Sequence, residues 1–179
     1  MPNDLSASPE SPKAIAPKES GSRPSALTPA ALAIAMLSRR EHSRGEIVRK
    51  LAAKGVAGEL AAAVVEDLAE RGYQSDSRFA DMLARTRIAD GCGPLRIAAD
   101  LRVAGVDAAI STMAKASALE YHAVGWVDVA REALRRRGLA KTLDLGGQRR
   151  AFALLQRRGF DGDTIRAALR RNDGDQGDG

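Results

Sequence analysis

The chain contains few of the residues that build catalytic centres or cross-linked cores. Its 179 residues include one cysteine, two histidines and only 3% aromatic residues. A single cysteine cannot form an intramolecular disulfide or supply a thiolate metal cluster. The sequence also lacks a Gly-rich phosphate loop ending in Lys-Ser or Lys-Thr, and it shows no interpretable spacing of histidine, carboxylate and nucleophile. These absences predict a protein that is not an enzyme and that holds no metal or cofactor.

Long apolar runs are missing as well. No window approaches the roughly 18 apolar residues of a membrane-spanning helix, and the N-terminal residues lack the apolar segment of a secretion signal. The composition, 44% hydrophobic and 28% charged, is ordinary for a globular protein. We therefore expect a cytoplasmic protein without a membrane partner.

One motif occurs five times: a leucine, a glycine four positions later, and then an apolar residue. Glycine has no Cβ atom, so it readily takes the left-handed conformation that ends a helix in a Schellman motif. In that motif the leucine and the apolar residue are in contact. The pattern predicts five helix ends, with C-terminal caps at Gly55, Gly72, Gly105, Gly138 and Gly159.

Three copies of the motif carry a longer signature and indicate an internal repeat. Their leucines stand 50 positions apart (Leu51 to Leu101) and 54 positions apart (Leu101 to Leu155). Apolar or small residues occupy the same two positions before each leucine: Ile47-Val48, Ile97-Ala98 and Ala151-Phe152. Modules of this size cannot hold a full core alone, so they stack on their neighbours. No segment alternates with the period of a strand. We predict an all-α fold of three tandem three-helix repeats in an elongated, curved array.

The repeats lie between two tails. Residues 1–26 are rich in Pro and Ser without apolar periodicity and are predicted to be disordered. The three repeats are expected over residues 27–73, 74–120 and 121–171. Residues 172–179 form a second, acidic tail that is also expected to be disordered.

Polar residues at the expected helix ends predict further caps. Ser43 with Glu46 has the spacing of a capping box, and Asp76 is a suitable N-cap for the first helix of the second repeat. Arg39, Arg40 and His42 are expected at the end of the first helix, where positive charge complements the helix dipole. His42 fits no metal-ligand pattern.

Positive charge is concentrated in the last third of the chain. Residues 131–171 contain 12 basic and 4 acidic residues, whereas the remainder contains 16 basic and 19 acidic residues. Such an asymmetry indicates an anionic partner, either nucleic acid or an acidic protein surface. Because guanidinium groups match carboxylate and phosphate geometry, the candidate contact residues are Arg135, Arg136, Arg137, Arg149, Arg150, Arg157 and Arg158. A solvated helix face would show the same pattern.

An ordered set of short matches runs through most of the chain. Arg40-Glu41-His42-Ser43 is followed by Leu51 and Gly55, then by Gly72-Tyr73, Asp76 and Phe79-Ala80, and later by Arg96-Ile97, Leu101, Gly105 and the segment Leu155–Phe160. Together these residues resemble the RecX family, bacterial regulators of the RecA recombinase. The resemblance spans about residues 28–171. Gln74 departs from it, because the family usually has an apolar or small residue there.

The resemblance implies three tandem three-helix repeats that bind the RecA filament and limit its growth, its ATP hydrolysis and strand exchange. Some members of the family also bind DNA. On this basis we predict a monomeric regulator that opposes extension of RecA filaments.

The alternative is a helical protein that binds DNA non-specifically and acts without RecA. The basic third repeat permits it. Against it, we expect most of the six aromatic residues in the core or at caps, which leaves few rings to stack on bases. These residues are Tyr73, Phe79, Tyr121, Trp126, Phe152 and Phe160.

Overall fold

A computed structural model describes residues 28–140 and 144–170. All regular structure within these residues is helical, which confirms the predicted all-α class. The helices are α1 Pro29–Leu37, α2 Arg44–Ala52, α3 Gly58–Glu70, α4 Asp76–Ala89, α5 Pro94–Ala104, α6 Ala108–His122, α7 Trp126–Arg135, α8 Leu145–Arg157 and α9 Gly162–Leu169. Both predicted tails, residues 1–26 and 172–179, lie outside the described residues. None of the described helices is long and apolar enough to span a membrane.

All five leucine–glycine motifs end a helix. In each copy the N–H after the glycine donates to the carbonyl of the leucine at 2.9–3.1 Å, which is the longer hydrogen bond of a Schellman motif. The five leucines are at most 3% exposed. The glycines have φ angles between +66° and +86°, and they are Gly55, Gly72, Gly105, Gly138 and Gly159.

Helix α6 ends in the same way without a glycine. Ala123 adopts φ +52°, and the next N–H, of Val124, donates to the carbonyl of Leu119 at 3.2 Å. The boundary predicted between residues 120 and 121 therefore falls inside α6, which continues through His122.

The N-terminal caps match the prediction at one position and differ at another. The Ser43 side chain accepts the N–H of Glu46 at 3.1 Å. Only this half of the predicted capping box forms, because the Glu46 carboxylate contacts Arg40 and His42 instead of the Ser43 N–H. Asp76, however, is the first residue of α4 rather than its cap, because Ser75 holds that position and accepts the N–H of Arg78. The prediction for Asp76 is wrong because its carboxylate serves another segment. It accepts the N–H of Arg44 at 2.9 Å.

The apolar residues form two separate cores. The first lies among α1, α2 and α3 and consists of Ala33, Ile47, Leu51, Ala61, Val65 and Leu68. The second is continuous through α4 to α9, with Phe79, Ile97, Leu101, Leu134, Leu155 and Phe160 among its buried members. The second and third modules thus share one core, whereas the first module has its own.

The second helices of the three modules follow one another head to tail. The N–H groups of Gly93 and Leu95, where α5 begins, donate to the carbonyls of Arg158 and Gly159, where α8 ends, at 2.8 and 3.0 Å. Where α2 begins, the Ser43 hydroxyl donates to the carbonyl of Ala104 in α5 at 2.7 Å. The negative end of one helix therefore faces the positive end of the next.

Helix α8 closes this series with a cap of its own. Gly147 corresponds to Ser43 and Gly93 in the repeat, and its N–H donates to the Asp144 carboxylate at 3.2 Å. At α2 and α5 the corresponding residues, Ser43 and Gly93, donate to carbonyls of the following module. At α8 the corresponding residue donates to a side chain of its own module instead. This is the expected arrangement for a terminal repeat.

Candidate protein-binding surface of the third module

Two of the seven candidate arginines hold the second and third modules together. Arg136 donates to the carbonyl of Ala89 at 2.7 Å. Arg158 donates to the carbonyl of Gly91 at 3.2 Å and also to that of Asp90. These carbonyls end α4, so both guanidinium groups neutralise the negative end of that helix. The guanidinium groups of Arg136 and Arg158 are therefore engaged in hydrogen bonds within the protein.

A third arginine is engaged with a neighbouring carboxylate. Arg135 forms two hydrogen bonds to Glu132, at 2.6 and 2.7 Å, and Arg136 adds another at 2.7 Å. These hydrogen bonds lower the pKa of Glu132 to about 2, so this carboxylate stays ionised at neutral pH. Glu132 offsets part of the positive charge at the end of α7.

The remaining four arginines are exposed and make no hydrogen bond or ion pair with the described residues: Arg137, Arg149, Arg150 and Arg157. Helix α8, which carries the last three, contains no acidic residue. An exposed guanidinium without a carboxylate is available to an anionic partner. Within the part of the chain that the structure describes, three of the seven arginines chosen from the sequence are therefore engaged and four form no such contact.

The outward face of α8 also carries apolar side chains. Leu145 is 74% exposed and Phe152 is 38% exposed. Leu145, Arg149, Phe152 and Gln156 lie four, three and four positions apart, so they form one stripe along the helix. Arg150 and Arg157 lie roughly a third of a turn around the helix from this stripe.

The expected placement of the aromatic residues in the core or at caps is wrong at Tyr121 and Phe152, whereas Tyr73 follows the cap at Gly72 as expected. Phe79 and Phe160 are buried, but Tyr73, Tyr121 and Phe152 are 56%, 64% and 38% exposed. The ring of Tyr121 is covered on one face by the guanidinium of Arg85, 4.2 Å from its centroid. The exposure of these three rings could not be predicted from the sequence pattern. The rings occupy apolar positions of helices or caps whose outer side stays uncovered.

A polar cluster at the junction of the first two modules was not predicted. His42 is 3% exposed rather than placed in the last turn of α1, which ends at Leu37 without a basic residue. Its Nδ1 lies 2.7 Å from the Glu46 carboxylate, and its carbonyl accepts the side-chain amide of Gln74 at 3.2 Å. Burial lowers the pKa of His42. Gln74, which departs from the family pattern, is thus a buried bridge between two modules.

An ion pair and a hydrogen bond add to this junction. The Arg78 guanidinium binds the Glu41 carboxylate at 2.6 Å, and the Gln74 amide donates to Asp76 at 2.9 Å. An open groove lies beside the junction and is lined mainly by polar residues, together with Ala69 and Ile110. Among the residues that the structure describes, no group of three or more histidine, cysteine or acidic side chains could hold a metal ion. Cys92 is half-buried, and burial raises the pKa of its thiol.

These features define a class of protein, a helical-repeat protein built from tandem three-helix modules. A family model described as the first three-helix domain of RecX matches residues 31–68, and a model of the second three-helix domain of RecX matches residues 75–114. The chain is similar to the solved crystal structure of RecX from Lactobacillus salivarius, with a TM-score of 0.62 at 21% identity over 79% of this chain and 92% of that one. This likeness confirms the fold.

Curated relatives have much higher identity. The regulatory protein RecX of Stenotrophomonas maltophilia strain K279a is 46% identical over 149 residues, which are 83% of this chain and 89% of that protein. The regulatory protein RecX of Xanthomonas campestris pv. campestris strain B100 is 44% identical over 161 residues, or 89% of this chain and 96% of that protein. The chain belongs to the RecX family of regulatory proteins.

Proposed function

We propose that this protein binds RecA filaments through the basic third module and opposes their extension. Membership of the RecX family supports a regulatory role. The observation that carries the proposal is a set of exposed arginines that form no hydrogen bond or ion pair with the described residues: Arg137, Arg149, Arg150 and Arg157. We also propose that the protein acts in the cytoplasm as a monomer, without a cofactor or catalytic activity of its own.

The array suits a polymeric partner because it offers several weak contacts in series. Each exposed ion pair contributes about 0.2–1 kcal/mol, which is too little for stable binding by one contact. Once one module is bound, the others face their sites at a high effective concentration. A bound array that spans neighbouring RecA protomers would obstruct the addition of the next subunit.

The direct test is the ATPase activity of RecA on single-stranded DNA with this protein in stoichiometric excess. We expect a clear decrease. A variant with Arg137, Arg149, Arg150 and Arg157 replaced by alanine should lose most of this effect. Arg136 and Arg158 are left in place because they hold α4.

A matched control removes the same number of positive charges elsewhere. Arg49, Lys50, Lys54 and Arg102 are basic residues of the first two modules without an ion pair among the described residues. Their replacement by alanine should leave the effect on RecA largely intact. An ATPase rate that the unaltered protein does not change would overturn the proposal.

Binding to DNA without RecA is the second candidate, and the exposure of Tyr73, Tyr121 and Phe152 favours it. Single-strand binding combines such rings with basic side chains. It predicts affinity for an oligo-dT strand that falls steeply with salt. Because each phosphate contact contributes about 0.7 to the slope of log affinity against log salt, the four-arginine variant should reduce that slope by about 3.

A further inference from the structure

We infer that the outward face of α8 binds a protein groove that has an apolar floor and carboxylates along its edges. The inference rests on the proposed function, since it assigns this groove to the RecA filament. It names an anchor, the stripe of Leu145, Arg149, Phe152 and Gln156, in addition to the general positive charge of the module.

The basic side chains on the outward side of α8 form no ion pair with the described residues. On α3 the acidic side chains of Glu66 and Asp67 are paired with Arg44 and Arg71. The outward side of α8 has three exposed arginines, Arg149, Arg150 and Arg157, and no carboxylate on the helix that could pair with them. A surface of this kind is complementary to clustered carboxylates on a partner.

The exposed aromatic ring of this face has no counterpart at the same repeat position of the other two modules. The position of Phe152 is occupied by Val48 in the first repeat and by Ala98 in the second, and both of these are partly buried. Leu145 belongs to the additional turn with which α8 begins before Gly147. At the position of Phe152 the third module therefore exposes a large ring, whereas the other two modules have a smaller, better covered side chain.

An aromatic ring flanked by arginine has the composition of an energetic centre in a protein interface. Such centres are enriched in aromatic residues and arginine and are surrounded by contacts that exclude water. Residues at positions i, i+4 and i+7, here Leu145, Arg149 and Phe152, are the anchors with which a helix occupies a groove. The partner thus needs an apolar recess for Phe152 and a carboxylate near Arg149.

A protein groove fits this face better than a single strand of nucleic acid does. Base stacking would use the ring of Phe152 but would leave Leu145, which is 74% exposed, without a suitable partner. One ring on the face also does not provide a series of stacking platforms. An apolar floor covers both side chains at once.

The experiment compares Leu145→Ser and Phe152→Ala in the full chain, with affinity measured separately for RecA filaments on single-stranded DNA and for free oligo-dT. We expect each variant to bind filaments at least about 10-fold more weakly and to bind oligo-dT as the unaltered protein does. Val103→Ser is the matched control, because Val103 is also 74% exposed but lies on α5. It should leave filament affinity unchanged.

The choice of substitutions keeps the result interpretable. Phe152→Leu retains an apolar side chain and should recover most of the filament affinity, and Leu145→Ser alters a side chain that is too exposed to contribute to the core. Unchanged filament affinity in both Leu145→Ser and Phe152→Ala would overturn the inference while leaving the proposed function in place. A parallel loss of oligo-dT binding would identify nucleic acid as the occupant and would also overturn it. If the unaltered protein does not bind filaments, both the proposed function and this inference fail.

Discussion

A Cβ atom on Gly93 would lie 2.4 Å from the main-chain oxygen of Gly159. The beginning of α5 and the end of α8 approach this closely because main-chain N–H groups and carbonyls bond directly across the junction. Glycine is required here for the close approach of two backbones. The contact joins the second and third modules more tightly than side chains alone could.

Replacing Gly93 with alanine is expected to separate these helix ends. The added methyl group meets main-chain atoms that cannot rotate away, so the free energy of unfolding should fall by about 1–3 kcal/mol. Urea denaturation followed by circular dichroism measures the change. Gly58→Ala is the control, because a Cβ atom there has no neighbour within 4 Å and stability should stay the same or rise slightly. Equal losses of stability in Gly93→Ala and Gly58→Ala would contradict the conclusion that the close backbone contact at Gly93 requires glycine.

Neighbouring arginines at the end of α8 should differ in their effect on stability. Arg158→Ala removes the hydrogen bonds to the final carbonyls of α4 and should lower the free energy of unfolding by about 1–2 kcal/mol. Arg157→Ala removes an exposed side chain without a bond to the described residues and should change stability by less than about 0.5 kcal/mol. Thermal melts of the two variants measure this difference. A larger loss of stability for Arg157→Ala than for Arg158→Ala would contradict the conclusion that Arg158 is engaged within the protein and Arg157 is exposed.

Ala123 offers a stabilising substitution. It adopts φ +52° at the end of α6, a conformation that costs alanine more than glycine. Ala123→Gly should therefore raise the free energy of unfolding by about 0.5–1 kcal/mol, even after the added flexibility of the unfolded chain. Ala62→Gly, in the exposed middle of α3, should lower it by about 1 kcal/mol. Denaturation of both variants under one condition shows whether the effects have opposite signs.

The buried imidazole of His42 predicts a dependence of stability on pH. Burial lowers its pKa from the ordinary 6.5, and the hydrogen bond to Glu46 opposes this only in part, while Arg40 and Lys50 lower the pKa further. As the pH falls below about 6.5, the unfolded chain binds a proton at this histidine before the folded protein does. Stability should therefore decrease between pH 7 and pH 5. Urea midpoints across this range should fall less steeply in His42→Gln, and an identical slope would exclude this histidine as the cause.

The helix ends could be predicted from the sequence because their causes are local. Leu134, Gly138 and Leu139 lie within six positions, and the hydrogen bond that closes this Schellman motif forms between residues of the same segment. The caps at Ser43 and the five glycines follow the same principle. The repeat of these segments was sufficient to predict the order of the helices.

Contacts between distant residues could not be predicted in this way. Ser75 and Asp76 are both suitable caps, and the choice depends on the N–H of Arg44, 32 positions earlier in the chain. Arg136 and Arg158 look like any other exposed arginines until α4 is placed beside them. The exposure of Phe152 depends on which neighbours pack against α8, and that packing is a property of the assembled modules.

The two separate apolar cores determine which modules can move relative to each other at the lowest cost in free energy. Separating the third module from the second would expose the hydrophobic surface of their shared core to water, which is unfavourable. Displacing the first module breaks mainly polar contacts, such as Ser43 with Ala104 and Gln74 with His42, and water can replace each of them. We therefore expect relative movement to be easiest at the joint after Gly72, so that the first three helices could adjust to a partner of variable pitch while the other six described helices move as one body.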